Sequence, residues 1–207
     1  MDIDALGLPT AMQTLLKDQL HNLKAEIDEI LETIGHNDCC ILNDFEEMNT
    51  LFRTLHSTAA SYYLRAYLAP YTDHYEALAA TVQHLSEHRH GALIAIKRRD
   101  EIHSYVHSGI PINALLSYAL LEAIFYPGNP LHDGGVLIDK NMIISAGNIF
   151  PSAEHYNGEE NLGTRHRAAI GLSEKADCLV LVVSEETGRI SFAIQGRLYP
   201  VQPSGMF

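Results

Sequence analysis

Residues 91–96 read GALIAI, a continuous apolar run with the length of a β-strand. A run in which every residue is apolar, rather than every second one, is typical of a strand that is buried on both faces of its sheet. A helix is predicted just before it, around residues 75–85. A helix that leads into a buried strand predicts an α/β architecture for this part of the chain.

Further strands and helices are predicted downstream of this run. After a turn at residues 100–101 we expect a hairpin strand, and then an apolar helix that opens at Asn113 and ends before the Pro-Gly-Asn-Pro stretch 127–130. The stretch 136–150, VLIDKNMIISAGNIF, predicts two strands about an Asp-Lys-Asn turn. The remaining elements are a helix from Thr164 and strands over 179–183 and 189–194. Together they predict a mixed β-sheet flanked by helices.

Two amphipathic helices are predicted ahead of this region. Apolar residues recur at three- and four-residue steps over 10–34 and again over 45–66, which is the spacing of one helix face. We therefore expect an N-terminal α-helical hairpin, residues 1–70, followed by a second domain, residues 71–207. Long apolar stripes need a partner surface, so the hairpin is expected to serve oligomerisation or regulation.

The ends of these two helices carry recognisable signals. Thr10 with Gln13, and Asn43 with Glu46, each fit a capping box at a helix start. Gly35 fits a C-terminal stop for the first helix.

The charge balance excludes some partners. Asp and Glu total 26 against 14 Lys and Arg, which gives a net charge of −12. A chain of this charge repels nucleic acid and anionic membranes, so neither is expected as a partner. Any polyanionic ligand must therefore be held by a local basic cluster.

Several features favour a soluble, cytoplasmic protein. The acidic N-terminus, MDID, lacks the charged-then-apolar pattern of a signal peptide. No apolar run approaches the ~20 residues that a membrane helix requires. Cys39 and Cys40 are adjacent and Cys178 lies in an apolar run, which matches neither a disulfide framework nor a zinc motif. Reduced thiols in a cytosol are expected.

The first stretch with chemical potential is LHDGGVLI, residues 131–138. His132 and Asp133 precede a predicted strand, and the two glycines that follow them let a ligand approach the backbone closely. The alternative is an ordinary Asp-Gly turn.

The second stretch is GTRHR, residues 163–167, which opens a predicted helix. A helix N-terminus is partly positive, so arginine is mildly unfavourable in its first turn. Thr164 can cap the helix, three backbone N–H groups point outward, and Arg165 and Arg167 stand beside them, which suits a bound phosphate. The alternative is a surface ion pair of these arginines with a nearby carboxylate: Glu159, Glu160 or Glu174.

The third stretch is SEETG, residues 184–188, at the end of a predicted buried strand. Carboxylates at a strand end can hold Mg²⁺ or Mn²⁺ against a phosphate, although a solvated turn is the alternative. His84 and His88 stand one helical turn apart, but no third zinc ligand is evident beside them. A His-Asp pair, a phosphate cradle and paired Glu together indicate metal-assisted phosphoryl or nucleotidyl transfer.

These stretches resemble the motifs of the diadenylate cyclase family (the DAC or DisA_N domain), which is marked by Asp-Gly-Ala and Arg-His-Arg. Here the matching stretches read LHDGG, GTRHRAAIGLSE and VVSEETG, and the similarity also includes GALIAI and GIPINA. It extends over about residues 71–207. A short helical pair before such a domain resembles the sporulation-associated type of Bacillus and relatives, rather than the membrane-bound or DNA-scanning types.

The resemblance implies that two ATP molecules are condensed to cyclic di-AMP with release of two pyrophosphates, using Mg²⁺ or Mn²⁺. It implies that Asp133 helps to activate the attacking 3′-hydroxyl, with Gly134 close to the nucleotide. The residues that it assigns to the phosphates are Thr164, Arg165, His166, Arg167 and Ser184. The residues that it assigns to the metal are His132, Glu186 and Glu185.

Two positions depart from the family pattern. Gly135 replaces the alanine of Asp-Gly-Ala, and we expect this smaller residue to leave the path of the backbone intact but to loosen it. Ile149 stands where some relatives carry a tyrosine against adenine, which leaves the adenine contact open.

The symmetry of the implied product predicts the assembly. Cyclic di-AMP is two-fold symmetric and the chain has one copy of each motif, so we expect two protomers to face each other within a homo-oligomer. Two other readings stay open: a binding module of the same fold that senses adenine nucleotides, and an oligomerisation protein in which the helical hairpin is the functional part.

Overall fold

The computed structural model describes residues 9–33, 41–153 and 162–201. Two long helices come first, α1 (Thr10–Thr33) and α2 (Ile41–Leu68). The two predicted N-terminal helices are therefore confirmed. The stop signal at Gly35 lies outside the described residues.

Both predicted capping boxes are wrong. The amide of Gln13 donates to the carbonyl oxygen of Pro9 at 2.9 Å, so Thr10 already lies inside the first turn. α2 begins at Ile41, so Asn43 is a helical residue as well. At the start of α1 the carbonyl of Pro9 is the first backbone acceptor, so Pro9 and not Thr10 is the N-cap residue.

The apolar stripes of α1 and of the start of α2 remain largely exposed. Their side chains are between 42% and 72% exposed at the following positions: Leu15, Leu20, Ile27, Leu31, Leu42, Phe45 and Phe52. Exposed apolar surface of this kind is typical of interaction sites.

By its packing the chain divides into two units, Met1–Ala60 and Ser61–Phe207. The last two turns of α2 therefore belong to the second unit. There Leu64 and Leu68 are buried, and the ring of Tyr67 meets that of Phe192 at 6.4 Å between centroids.

The second unit contains a mixed sheet. Its helices in the described ranges, besides the end of α2, are α3 (Tyr75–Glu87), α4 (Tyr118–Phe125) and α5 (Thr164–Lys175). The strands there are β1 (Ala92–Lys97), β2 (Ile110–Leu115), β3 (Gly135–Asp139), β4 (Met142–Asn148), β5 (Cys178–Val183), β6 (Ile190–Ile194) and β7 (Arg197–Val201). Their order is β2-β4-β3-β1-β5-β6-β7. β1 and β3 run parallel and the other neighbours antiparallel, which confirms the predicted α/β fold with a mixed sheet.

The predicted buried strand is confirmed as β1, which begins at Ala92 and is the central strand of the sheet. Side chains alternate along it: Leu93 and Ala95 join a core cluster with Leu172 of α5 and Val180 of β5. Ile94 and the other intervening residues are equally buried and point to the opposite face. The helices therefore cover both faces, which is why every residue of the run is apolar.

Two predictions between β1 and β3 are wrong. The segment after Asp100 forms a short 3₁₀ turn (His103–Tyr105), and β2 then pairs with β4 at the sheet edge, because β3 and β5 already occupy both sides of β1. α4 begins after Ser117, whose hydroxyl accepts a hydrogen bond from the amide of Leu120 at 3.3 Å. Asn113 instead lies in β2 with φ of 50°, where the pairing with β4 is irregular.

The β3–β4 turn is confirmed, with Lys140 at φ of 54°. Strand β7 was not predicted.

Candidate active site

The predicted site residues gather at one end of the sheet. Because β1 and β3 are parallel, the segments that precede them lie at the same end. The pairs Ala92–Val183 and Gly135–Asn148 show that antiparallel β5 and β4 finish at that end too. Two segments therefore lie at the same end of the sheet: His132–Gly134, before β3, and Ser184–Glu186, after β5.

The loop before β3 presents His132 and Asp133. Nδ1 of His132 lies within hydrogen-bond distance of the carbonyl oxygen of Asn129. A carbonyl only accepts, so Nδ1 donates, and in the neutral form of the ring the lone pair is then on Nε2. Asp133 is exposed. The loop thus presents one imidazole, with Nε2 not used in this hydrogen bond, and one carboxylate.

Gly134 needs to be glycine for two reasons. Its φ of 152° lies in the region that favours glycine, and an added Cβ would lie 2.7 Å from the carbonyl carbon of Gly147. The backbone beside Asp133 is therefore pressed against the end of β4.

Gly135 is packed in a different way. An added Cβ there would lie 2.4 Å from the ring of Phe150, which is itself buried. The expectation of a looser backbone is therefore wrong, since an aromatic ring fills the space that a methyl group would take.

The first turn of α5 carries the basic residues. Gly163, not Thr164, is the N-cap residue, and the amide of Arg167 donates to its carbonyl at 3.2 Å. The prediction that Thr164 caps the helix is wrong. The first-turn N–H groups, which include that of His166, still point out of the helix end, as every α-helix requires.

The two arginines have different partners. Nη1 of Arg165 donates to Oε2 of Glu185 at 2.6 Å, and the guanidinium of Arg167 donates to the carbonyl of Ala153 at 3.4 Å. An ion pair was the alternative reading for these arginines, and Arg165 forms one, but with a different carboxylate from those predicted. Glu159 and Glu160 lie outside the described residues, and the side chain of Glu174 packs against Gly196.

The turn after β5 holds its acidic residues in place by backbone hydrogen bonds. The amide of Ser184 donates to the carbonyl of Arg189 at 3.0 Å, and the Ser184 hydroxyl accepts from the amide of Thr187 at 3.3 Å. The hydroxyl of Ser86, on α3, donates to the carbonyl of Gly188. Glu185 and Glu186 are exposed on this turn.

The predicted metal ligands do not converge within one chain. No group of three His, Cys, Asp or Glu side chains in the described residues could hold a metal ion. β1 separates β3 from β5, so the segments that bear His132 and Glu186 are two strand spacings apart, about 10 Å. In the described residues the predicted ligands alone therefore form no complete metal site, and a bound metal ion would need further ligands.

His84 and His88 belong to a local cluster of side chains that includes Glu122. His84 Nε2 lies 3.0 Å from Glu122, and the two imidazole rings are 4.1 Å apart. Burial lowers the pKa of the neighbouring His90 below 6.5, and electrostatic repulsion from His88 and His84 lowers it further. Like charge and desolvation therefore favour neutral His90.

Sequence reasoning missed three residues here. Gly91 lies beneath the ion pair: an added Cβ would be 2.5 Å from Arg165 Nη1 and 2.9 Å from Glu185 Oε2. Asn148 and Phe150 contact the loop that bears Asp133. A glycine at a strand entrance was the available signal for Gly91, whereas nothing in the sequence marks the contacts of Asn148 and Phe150.

Comparison with known proteins gives the family. Residues 79–198 match the family described as DisA bacterial checkpoint controller nucleotide-binding, and residues 5–71 match the N-terminal region of diadenylate cyclase CdaS. The chain belongs to the diadenylate cyclase family. The predicted family, its N-terminal helical type and the prediction of an enzyme of this family are confirmed.

Named relatives cover most of the chain. Diadenylate cyclase CdaS of Bacillus thuringiensis is 45% identical over 94% of this chain and 97% of its own. Cyclic di-AMP synthase CdaS of Bacillus subtilis is 42% identical over 88% of this chain and 87% of its own. A diadenylate cyclase of Listeria monocytogenes is 44% identical over 60% of this chain and 45% of its own.

Two solved structures share the fold of this chain. One, titled a hypothetical membrane spanning protein from Bacillus cereus, is 44% identical with a TM-score of 0.76 and covers 93% of this chain and 94% of its own. DacA from Staphylococcus aureus is 35% identical with a TM-score of 0.60, over 63% of this chain and 87% of its own. In the described part of the present chain, no helix is both long enough and apolar enough to cross a membrane.

Proposed function

We propose that this chain condenses two ATP molecules into cyclic di-AMP with release of two pyrophosphates. The observation that carries the proposal is its 45% identity, over 94% of its length, with a Bacillus diadenylate cyclase. The meeting of the three predicted motifs at one end of the sheet supports it. A cytosolic location for this reaction is part of the same proposal.

Phosphate binding is assigned to the first turn of α5. Outward N–H groups and the positive helix end attract an anion, and the guanidinium groups of Arg165 and Arg167 add charge and directional donors. Without nucleotide, Glu185 is the anion beside Arg165. A triphosphate in this cradle would compete with Glu185 for that guanidinium. Thr164, His166 and Ser184 remain proposed phosphate contacts.

Asp133 is assigned to the attacking hydroxyl. Its exposed carboxylate can accept a hydrogen bond from the ribose 3′-hydroxyl and take its proton as the oxygen attacks the α-phosphorus of the other ATP. The bond from that phosphorus to the bridging oxygen breaks, and pyrophosphate leaves. Two such attacks close the ring. Gly134, which has no side chain, lets the nucleotide lie close to the backbone.

The site chemistry fits a divalent metal. His132 presents the lone pair of Nε2, and Glu186 presents an exposed carboxylate. Bound Mg²⁺ or Mn²⁺ would neutralise charge on the phosphates and on departing pyrophosphate. Glu185 is the weaker candidate ligand because Arg165 already engages it.

Two facing protomers would complete the site. One chain has one copy of each motif, and its proposed ligands on the β3 and β5 sides are separated by β1. A second protomer, related by a two-fold axis, would bring a second ATP and a second set of these residues.

Mixing protomers tests this arrangement. Adding an excess of Asp133→Asn protomers to a fixed amount of wild-type protein should lower cyclic di-AMP per wild-type protomer and raise linear dinucleotide, because a mixed pair closes only one bond. A yield per wild-type protomer that is independent of the variant, in demonstrated mixed pairs, would contradict the two-protomer reaction.

The second candidate function is a module that binds adenine nucleotides without turnover. In that case neither cyclic di-AMP nor linear dinucleotide forms.

The N-terminal helices are proposed to control assembly. Their exposed apolar stripes support an association role for residues 1–70, and residues 71–207 are proposed as the cyclase domain.

A further inference from the structure

Two side chains outside the proposed substrate contacts hold the backbone next to Asp133. Asn148, at the end of β4, is 2% exposed, and its Nδ2 donates to the carbonyl oxygen of Gly135 at 2.7 Å. Its Oδ1 accepts from the hydroxyl of Ser145 at 2.9 Å. Because both ends of the amide are engaged, its orientation is fixed.

The surrounding chain is shaped to admit this amide. An added Cβ at Gly109 would lie 1.8 Å from Oδ1 of Asn148, so only glycine leaves room there. Just beyond Asn148, the main chain of Ile149 exchanges two hydrogen bonds with His107, at 2.8 and 3.1 Å. The end of β4 is therefore anchored on the side away from Gly135.

Phe150 closes the other side of the loop. Its buried ring lies where a Cβ on Gly135 would be, and it belongs to the core cluster that includes Leu93 and Leu172. The backbone of Gly134 meets Gly147 directly. The segment Gly134–Gly135 is thus held between an amide, an aromatic ring and a neighbouring strand.

We propose that Asn148 and Phe150 are positioning residues for Asp133. They fix the backbone that follows Asp133, and so fix where its carboxylate meets the attacking hydroxyl. This inference rests on the proposed function. Neither side chain need touch ATP, since Asn148 is 2% exposed and Phe150 is 6% exposed.

The role predicts a particular kinetic signature. A displacement of about 1 Å at a reacting group costs roughly 100-fold in rate. Asn148→Asp, which keeps the shape but removes the donated hydrogen bond, should lower kcat per folded protomer about 10- to 100-fold. KM for ATP should stay within about threefold, because α5 is unchanged.

The contact between Gly135 and Phe150 can be tested by enlarging one residue and shrinking the other. Gly135→Ala should place its methyl group against the ring, and Phe150→Leu should leave a gap, so each single variant should lower kcat. The double variant Gly135→Ala with Phe150→Leu should recover more activity than the product of the two single effects. Such recovery shows coupling between the residues.

A matched control separates positioning from stability. Asn141 lies in the turn at the opposite end of β3 and β4, and its amide bonds Asp73 and Thr72. Asn141→Asp makes the same chemical change there, and it should lower the melting temperature while leaving kcat per folded protomer unchanged.

The experiment measures kcat, KM and melting temperature for these variants, with folded protomer counted by circular dichroism. Hydrogen exchange of the peptide 131–138 is followed as well, and it should speed up in Asn148→Asp. An unchanged kcat per folded protomer in Asn148→Asp, or a double variant no better than the product of its parents, would overturn the inference. If the wild-type protein itself made no product, the proposed function would fail, while the exchange experiment would still test the backbone contact.

Discussion

Nη1 of Arg165 lies 2.6 Å from Oε2 of Glu185, so the first turn of α5 and the turn after β5 are joined by two predicted site residues. The pair spans the entrance of β1, where Gly91 leaves room for both side chains. Arg165, which is proposed to bind phosphate, is thus paired with Glu185, which is a proposed metal ligand. Nucleotide binding is expected to exchange that partner for phosphate.

Replacing Arg165 with Ala should weaken ATP use with little effect on the empty protein. The side chains of the pair are 22% and 61% exposed, and surface pairs of this kind contribute about 0–1 kcal/mol. A positive charge is also unfavourable at a helix N-terminus. We expect KM for ATP to rise at least about tenfold, as one lost charged contact implies, with a nearly unchanged melting temperature. Strong destabilisation of the nucleotide-free protein would mean that the ion pair is structural.

Gly91→Ala should change the binding of ATP without much change in the free energy of unfolding. Its new methyl group would meet only the ends of two flexible side chains, Arg165 and Glu185, which can move. Gly171→Ala is the matched control: its methyl group would lie 2.4 Å from the backbone carbonyl of Pro151, which cannot yield easily. We expect Gly91→Ala to raise KM for ATP at near-normal stability, and Gly171→Ala to cost about 1–3 kcal/mol of unfolding free energy. Denaturant titration checks both, and the reverse order would contradict the packing.

Cys178 makes stability depend on pH in the alkaline range. Burial raises the pKa of its thiol from 9.0 to about 12, helped by the negative charge of Asp177. The folded state keeps the proton while the unfolded state loses it, so this contribution is complete below pH 9 and is lost as pH rises towards 12. The fall in unfolding free energy between those pH values should be smaller in Cys178→Ala. Equal slopes in the two proteins would contradict the buried thiol.

What could be predicted from the sequence depended on the range of the interaction. The strand at residues 91–96 and the turn at Lys140 were recognised because their signals are local: an apolar run and a turn motif. The pairing of β2 with β4 could not be recognised from the sequence, because it depends on which strands already border β1.

The same limit applied to the site. The motif residues were found as types, but the partner of Arg165 lies 20 residues away, whereas the predicted carboxylates were nearer in sequence. Asn148 was missed because its partner is a backbone carbonyl 13 residues away, which has no residue-type signature.

A truncation tests the N-terminal helices, and the structure decides where to cut. Removing residues 1–66 would take away Leu64, which is buried in the second unit, so the cut belongs after Ala60. We expect residues 61–207 to change in oligomer size and to gain specific activity, since the exposed stripes are removed. Light scattering and product assays over a dilution series check this. Unchanged size and activity would contradict a regulatory role.

The most direct test of the central claim is the product balance with ATP and either Mn²⁺ or Mg²⁺. Purified protein is incubated with ATP and each metal, and nucleotides and pyrophosphate are quantified by mass spectrometry and an enzymatic assay. Asp133→Asn, which preserves size and should preserve the melting temperature, serves as the control. The account predicts two pyrophosphates for each cyclic di-AMP, and a loss of at least ~100-fold in the control. Bound ATP with neither product, or a control as active as the wild type, would contradict it.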